Sequence, residues 1–267
     1  MDASTIAGCR AKVDRAEAAI DEGAREWTSW LDTNPYPTTV EVDRTAGEHS
    51  LYFDFSATEV PLSFSARVGE IAHGLRSALD HLIWREAVEL CGYKTADENR
   101  GKLYFPLLDS RTAFKYSKVK GFVSKDAWAV IERYQPYTRG KPKRSRVLAL
   151  LHEIDRIDKH RSLHVGVALL PRFIQPWSLI EWDEQAIATA PPLIGIPGPK
   201  GKRLKRKTEI ARYFFDPAGP DPKVRMKKTP PLNVSFGDIP RKLGGAGISE
   251  TVREVREVIG DFAALMP

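Results

Sequence analysis

Apolar residues recur every three or four positions over 5–31, where Ile6, Val13, Ala16, Ile20, Trp27 and Leu31 form one stripe, so the spacing predicts a first helix. Asn34-Pro35-Tyr36-Pro37 ends it, because a residue before proline avoids the helical region. The pattern then turns to alternation. TTVEVDR, a turn through Ala46-Gly47-Glu48, and SLYFDFSA predict a β-hairpin over 38–60, with Val40 and Val42 toward Leu51, Phe53 and Phe55 or their neighbours. Pro61 leads into a central helix expected over 68–91, with Gly92 as its C-cap. Residues 93–102 read as a polar loop, Tyr104-Phe105-Pro106 as a short buried extended segment, and 110–122 as irregular or weakly helical. Ser124 caps a helix expected over 125–134, which Gln135-Pro136-Tyr137 breaks. A basic loop over 139–146 precedes a helix expected over 147–159, with Leu148, Leu151, Ile154 and Ile157 inward. Strands are expected at 162–170, 178–182, 207–215, 223–227 and 232–236, and a last helix follows Ser249 to about residue 265.

These elements predict an α+β protein. A helical bundle over 1–161 carries the hairpin 38–60, a β-rich region with a basic loop covers 162–240, and a final helix in 241–267 closes the β-rich half. No linker separates them, so one continuous domain is expected.

The polar face of the central helix changes the picture. With ~100° per residue and His73 at zero, Arg76 falls near −60°, Asp80 near −20°, Trp84 near +20°, Ser77 near +40° and His81 near +80°. Ile71, Leu75, Ala78, Leu79 and Leu82 fill the opposite arc. A face that only meets water carries lysines and glutamates. This one carries groups that form hydrogen bonds and move protons, which suits either an active site or a buried network.

At 42% hydrophobic and 28% charged residues the chain reads as an ordinary soluble globular protein. It has no apolar run near the ~20 residues of a membrane span. The N-terminus lacks an apolar signal core, and Cys9 and Cys91 form no CxxC, which together point to a reducing cytoplasm. The net charge of +6 is local: residues 196–228 hold eleven Lys/Arg against three acids, and the remainder is slightly acidic. That run, with Lys202, Arg203, Lys205 and Arg206 at its centre, suits a polyanion or serves as a solubilising loop.

Five of the six histidines fall in two stretches, His73 and His81 on the central helix and His152, His160 and His164 near residue 160. Both stretches also hold carboxylates and arginine. RNA supplies its own nucleophile, so metal-independent cleavage needs a base for the 2′-hydroxyl, an acid for the leaving oxygen and a cation for the phosphate. Histidine titrates in the right range, and arginine offers a fixed fork of donors. Arg76 and His81 supply these types as R-x4-H.

The segment Arg76-Ser77-Ala78-Leu79-Asp80-His81 resembles the R-x4-6-H motif of HEPN proteins, helical bundles that include many RNases of toxin–antitoxin, CRISPR and phage-defence systems. The wider pattern, with Pro35-Tyr36, Phe105-Pro106, Gln135-Pro136-Tyr137 and Asp158-Lys159-His160-Arg161, resembles a group of bacterial and phage proteins over roughly residues 10 to 165. The resemblance implies a cytoplasmic endoribonuclease of toxin or phage-defence type, without cofactor or metal, working as a homodimer on RNA, with an antitoxin or activator as a further partner. It implies His81 as base or acid, Arg76 on the scissile phosphate, and Asp80 or His73 as orienting groups. Lys159, His160 and Arg161 are further phosphate-contact candidates.

Other readings stay open. Arg76 and Asp80 stand i,i+4 and suit a plain ion pair, His73 suits a bond to Ser77, and Lys159, His160 and Arg161 suit the negative end of a helix dipole. Tyr134 and Tyr137 suit base stacking or the core. A non-catalytic nucleic-acid- or protein-binding chain would keep the central helix structural. A metal-dependent hydrolase would use His73, His81, His152, His160 and His164 with Asp80, Asp155 and Asp158 as ligands, although no HExxH is present.

Overall fold

The first helix starts where Asp2 can cap it, its Oδ1 accepting the Thr5 amide at 2.7 Å and the Ser4 hydroxyl at 2.9 Å. In the computed structural model this helix, α1, spans Ala3–Asp32. Asn34 ends it in the left-handed region at φ 52°, a conformation asparagine tolerates. The structure describes residues 2–55, 58–138, 142–160, 165–169, 180–181, 207–214, 218, 225–226, 232–236 and 247–265.

Strands β1 (Thr38–Asp43) and β2 (Glu48–Asp54) form the expected antiparallel hairpin. The Asp43 carboxylate accepts the Thr45 and Ala46 amides in its turn, and Gly47 supplies the positive φ of 62°. Val40 stands opposite Leu51, while Val42 stands opposite His49. Helix α2 spans Leu62–Cys91, starting six residues before the expected Val68, because nothing between Pro61 and Val68 breaks a helix. Gly92 closes it at φ 81°, which a side chain would strain.

The expected polar loop after Gly92 is helical instead. It forms α3 (Tyr93–Glu98) and a 3-10 turn (Arg100–Lys102), because Ala96 is buried and gives the short helix an inner side. Ser110 caps α4 (Arg111–Lys115), and a 3-10 turn (Lys118–Phe122) follows. Ser124 caps α5 (Lys125–Arg133) as expected, accepting the Ala127 amide at 3.2 Å. Helix α6, Pro142–His160, takes in part of the expected basic loop. Proline suits a first helical turn, and lysine and arginine are good helix formers.

The remaining strands are β3 (Val165–Leu169), β4 (Ile180–Glu181), β5 (Lys207–Phe214), β6 (Arg225–Met226) and β7 (Leu232–Phe236). Helix α7 spans Ile248–Ala263. The described strands pair as three antiparallel sheets, β1-β2-β5, β3-β7 and β4-β6. The fold is α+β. Among the described residues no helix is long and apolar enough to cross a membrane.

The chain divides into two compact units. One comprises Met1–Gly23, Ser65–Leu163 and Asp238–Pro267, and the other Ala24–Phe64 and His164–Gly237. The hairpin thus groups with the later strands, where the sequence pattern attached it to the helical core. The reason is pairing: β2 has β5 as its second neighbour, and the ladder belongs to one body. That unit also holds an aromatic cluster of Trp27, Trp30, Tyr36, Phe55 and Phe64, with ring centroids 4.9 to 6.1 Å apart.

The helical unit is built on the apolar arc of α2. Ile71, Leu75, Ala78, Leu79 and Leu82 are all buried, as the periodicity predicts. Buried Cys9 of α1 donates its thiol to the Ala78 carbonyl at 3.3 Å, and burial pushes that thiol up to about 11. Cys9 and Cys91 are both free thiols. Helix α7 packs on α5 and α6, and Tyr134 donates to Asp261 at 2.6 Å. Tyr134 is therefore a core residue with a raised pKa, caused by burial first and the Asp261 bond second.

Candidate active site

The polar arc of α2 divides into parts with different neighbours. Arg76 is 5% exposed and turns inward. Its Nη2 donates to the Phe105 carbonyl at 2.5 Å and pairs with Asp80 Oδ1 at 3.1 Å. The same Asp80 oxygen accepts the Phe105 amide at 2.8 Å. Two side chains one turn apart thus satisfy both backbone groups of one residue. Among the described residues nothing accepts from Arg76 Nη1, which is also buried.

Fully buried Gln135 does the same for the next residues. Its Nε2 donates to the Pro106 and Ile131 carbonyls at 2.8 and 3.0 Å, and its Oε1 accepts the Leu108 amide at 3.1 Å. Residues 103–108 have no regular secondary structure, so their buried backbone groups need partners from elsewhere. Arg76, Asp80 and Gln135 supply them. The Arg76–Asp80 pair, Phe105-Pro106 and Gln135 form one structural seam.

His73 leaves that seam. Its Nδ1 donates to Asp155 Oδ1 on α6 at 3.2 Å, instead of bonding Ser77. Lys159 Nζ donates to the other carboxylate oxygen at 2.7 Å. Asp155 is buried, while the side chains of His73 and Lys159 are 63% and 48% exposed. A carboxylate can only accept, so Nδ1 carries a proton, and Nε2 is the ring's other proton-exchange position, turned away from that bond. His152 sits one turn before Asp155 on α6. It is exposed, with its ring partly desolvated by its neighbours. That desolvation first, and the positive charge of Arg76 second, hold its imidazole below the ordinary histidine range, with Asp155 opposing. The two histidine stretches therefore meet at the His73–Asp155 bond, and His152 feels the charge of that carboxylate from one turn away.

His81 lies elsewhere on the arc. It is exposed, and burial of part of its ring and then the charge of Lys12 on α1 lower its pKa, with Asp80 opposing. No hydrogen bond joins Arg76 and His81 among the described residues. An ideal helix turns them ~140° apart, and Arg76 follows the side that faces Phe105.

His160 is exposed at the end of α6, and Asp158 lies against Gly69 of α2. Arg161, His164, Lys202, Arg203, Lys205 and Arg206 lie outside the described residues. Lys207, next to that basic run, is ion-paired with Glu41. Among the described residues no group of three or more His, Cys, Asp or Glu is placed to hold a metal ion.

No family model, no curated protein and no solved structure matches this chain.

Gln135 was visible in the sequence only as part of a helix break, because its partners are the backbone of residues 106 and 108. Asp155 carried a local signal: with His152 and Lys159 it shares one side of α6 at helical spacing.

Proposed function

We propose that the chain is a metal-independent endoribonuclease whose acid–base pair is His73, oriented by Asp155, and His152. The observation that carries this reading is the 3.2 Å bond from an exposed histidine to a buried carboxylate, with a second histidine one helical turn from that carboxylate whose pKa is lowered by desolvation and then by Arg76. Two titratable groups of one type in different environments are what acid–base division of labour needs. In the proposed reaction His152 takes the 2′-hydroxyl proton and the 2′-oxygen attacks phosphorus. The bond to the 5′-oxygen breaks, and that oxygen takes a proton from His73. The products are a 2′,3′-cyclic phosphate and a 5′-hydroxyl. Lys159, bonded to the same Asp155, is the nearby cation for the phosphate, His160 is a further contact at the end of α6, and buried Arg76 contributes charge to His152 without touching substrate. This departs from the resemblance, in which Arg76 and His81 are the catalytic pair. The rest of the expectations belongs to the same proposal: a HEPN-like helical bundle, a homodimer and an antitoxin or activator partner from the resemblance, with a β-rich C-terminal half that ends in a final helix and a cytoplasmic setting from the sequence pattern.

The test is cleavage of mixed RNA in EDTA. His73→Gln and His152→Gln are expected to lose about 10²-fold or more in rate, the scale of one acid–base group. His81→Gln is expected to cleave at the wild-type rate. Loss of cleavage in His81→Gln alone would overturn the assignment.

A second reading has its own observation. Arg76 is buried and bonded to Phe105 and Asp80, as a purely structural central helix requires. Under it the chain binds nucleic acid or protein without cleaving. Folded wild type that binds RNA but gives no cyclic-phosphate ends in any buffer would favour it.

A further inference from the structure

Between Asp109 and Asp126 the sequence has sixteen residues with five cations and no acid: Arg111, Lys115, Lys118, Lys120 and Lys125. The structure turns all five outward. The apolar residues of the same stretch point the other way, with Phe114, Val119 and Val123 buried. Phe114 stacks on Trp128 at 4.0 Å between centroids and 13° between planes, so the stretch is anchored from beneath. Arg111 meets Glu132 at 3.5 Å, and none of the four lysines has a carboxylate partner among the described residues. Tyr116 lies among them, 74% exposed, with Lys115 Nζ 5.7 Å from its ring centroid.

Like charges gathered without counter-charge cost stability. Tyr116 is a large aromatic left mostly in water amid them. Cations spaced along a surface match phosphates, and an exposed tyrosine face matches an unpaired base.

We propose that residues 110–125 form a binding face for single-stranded nucleic acid. Lys115, Lys118 and Lys120 contact phosphates, and Tyr116 stacks on a base. The face deepens the ribonuclease reading by naming where the strand is held, yet it stands on separate residues and is tested by binding alone.

The experiment is fluorescence anisotropy with a labelled, uncleavable 2′-O-methyl oligoribonucleotide of mixed sequence, in EDTA, over a range of salt. The triple variant Lys115→Gln, Lys118→Gln, Lys120→Gln is expected to bind about tenfold more weakly or worse, with the log–log salt slope reduced by about 2. Tyr116→Ala is expected to weaken binding about fivefold or more with the slope unchanged. The control Lys94→Gln, Arg100→Gln removes two exposed cations outside the stretch and is expected to stay within about twofold of wild type. Circular dichroism should show the fold intact throughout, since every changed side chain is exposed. Wild-type affinity and slope in the triple variant would overturn the proposal, as would an equal loss in the control. So would wild-type protein that ignores the oligonucleotide, whether or not it binds anionic vesicles. Because the probe cannot be cleaved, loss of cleavage and loss of binding are read separately.

Discussion

Helix α2 carries two polar clusters on one arc, and they differ in who needs whom. In the first, Arg76 and Asp80 close on Phe105, and Gln135 closes on Pro106 and Leu108. The partners are backbone groups with no other means of satisfaction, so removing a side chain orphans something buried. In the second, His73 and Lys159 converge on Asp155. There the carboxylate is buried and its partners are half in water, so either partner can be rehydrated when the carboxylate goes. The first cluster fixes structure at the cost of accessibility. The second leaves the side chains of His73 and Lys159 open to water. The fractional exposure of one residue does not reveal this difference. Asp80 is 30% exposed and Asp155 only 6%, yet the partner left behind by Asp80 is the buried one.

The largest effect that would sharpen this contrast is in the seam. Gln135→Ala removes three hydrogen bonds, two of them buried, and leaves the Leu108 amide and Pro106 carbonyl without partners, so it should cost about 2–4 kcal/mol in urea unfolding. A cost under about 1 kcal/mol would mean that water or rearranged backbone can replace it. In the second cluster the comparable effect is on rate: His152→Gln should lose cleavage while its unfolding midpoint at neutral pH stays close to wild type.

The next effect is on pH dependence. His152 has a folded-state pKa below its unfolded value of about 6.5. The unfolded chain therefore binds more protons as pH falls through that value, and stability declines there. His81 acts in the same direction. His152→Gln should flatten the fall in urea midpoint between about pH 7.5 and about pH 5.5, and His81→Gln should flatten a further part. An unchanged slope in both variants would remove the desolvation argument. The smallest effect is Lys159→Met. Its half-exposed ion pair should be worth under about 1 kcal/mol, and a much larger loss would make the second cluster structural like the first.

What the sequence made legible was local. The 3.6-residue spacing of Leu75, Leu79 and Leu82 fixed the buried side of α2, and the i,i+4 spacing of Arg76 and Asp80 allowed the pair that forms. Alternation and a Gly-containing turn gave the β1–β2 hairpin, and Ser124 marked the start of α5. The missed features are those that depend on distant partners. Arg76 and Phe105 are 29 positions apart, and His73 and Asp155 are 82 apart. Polar residue types at helical spacing show that a helix has a polar side, but not which of those groups another segment will cover. That is why Arg76 and His81 read as one motif in sequence and face different neighbours in the fold.

The most direct measurement compares Asp80→Ala with Asp155→Ala in urea unfolding, with RNA cleavage in EDTA read on the same preparations. Asp80→Ala leaves a buried guanidinium with one carbonyl partner and should cost about 3–5 kcal/mol. Asp155→Ala frees two side chains that water can reach and should cost about 1 kcal/mol, while cleavage falls at least about tenfold as His73 loses its orientation. The opposite ranking of the two stabilities, or full cleavage by folded Asp155→Ala, would contradict the division of the arc into a structural seam and a reactive face.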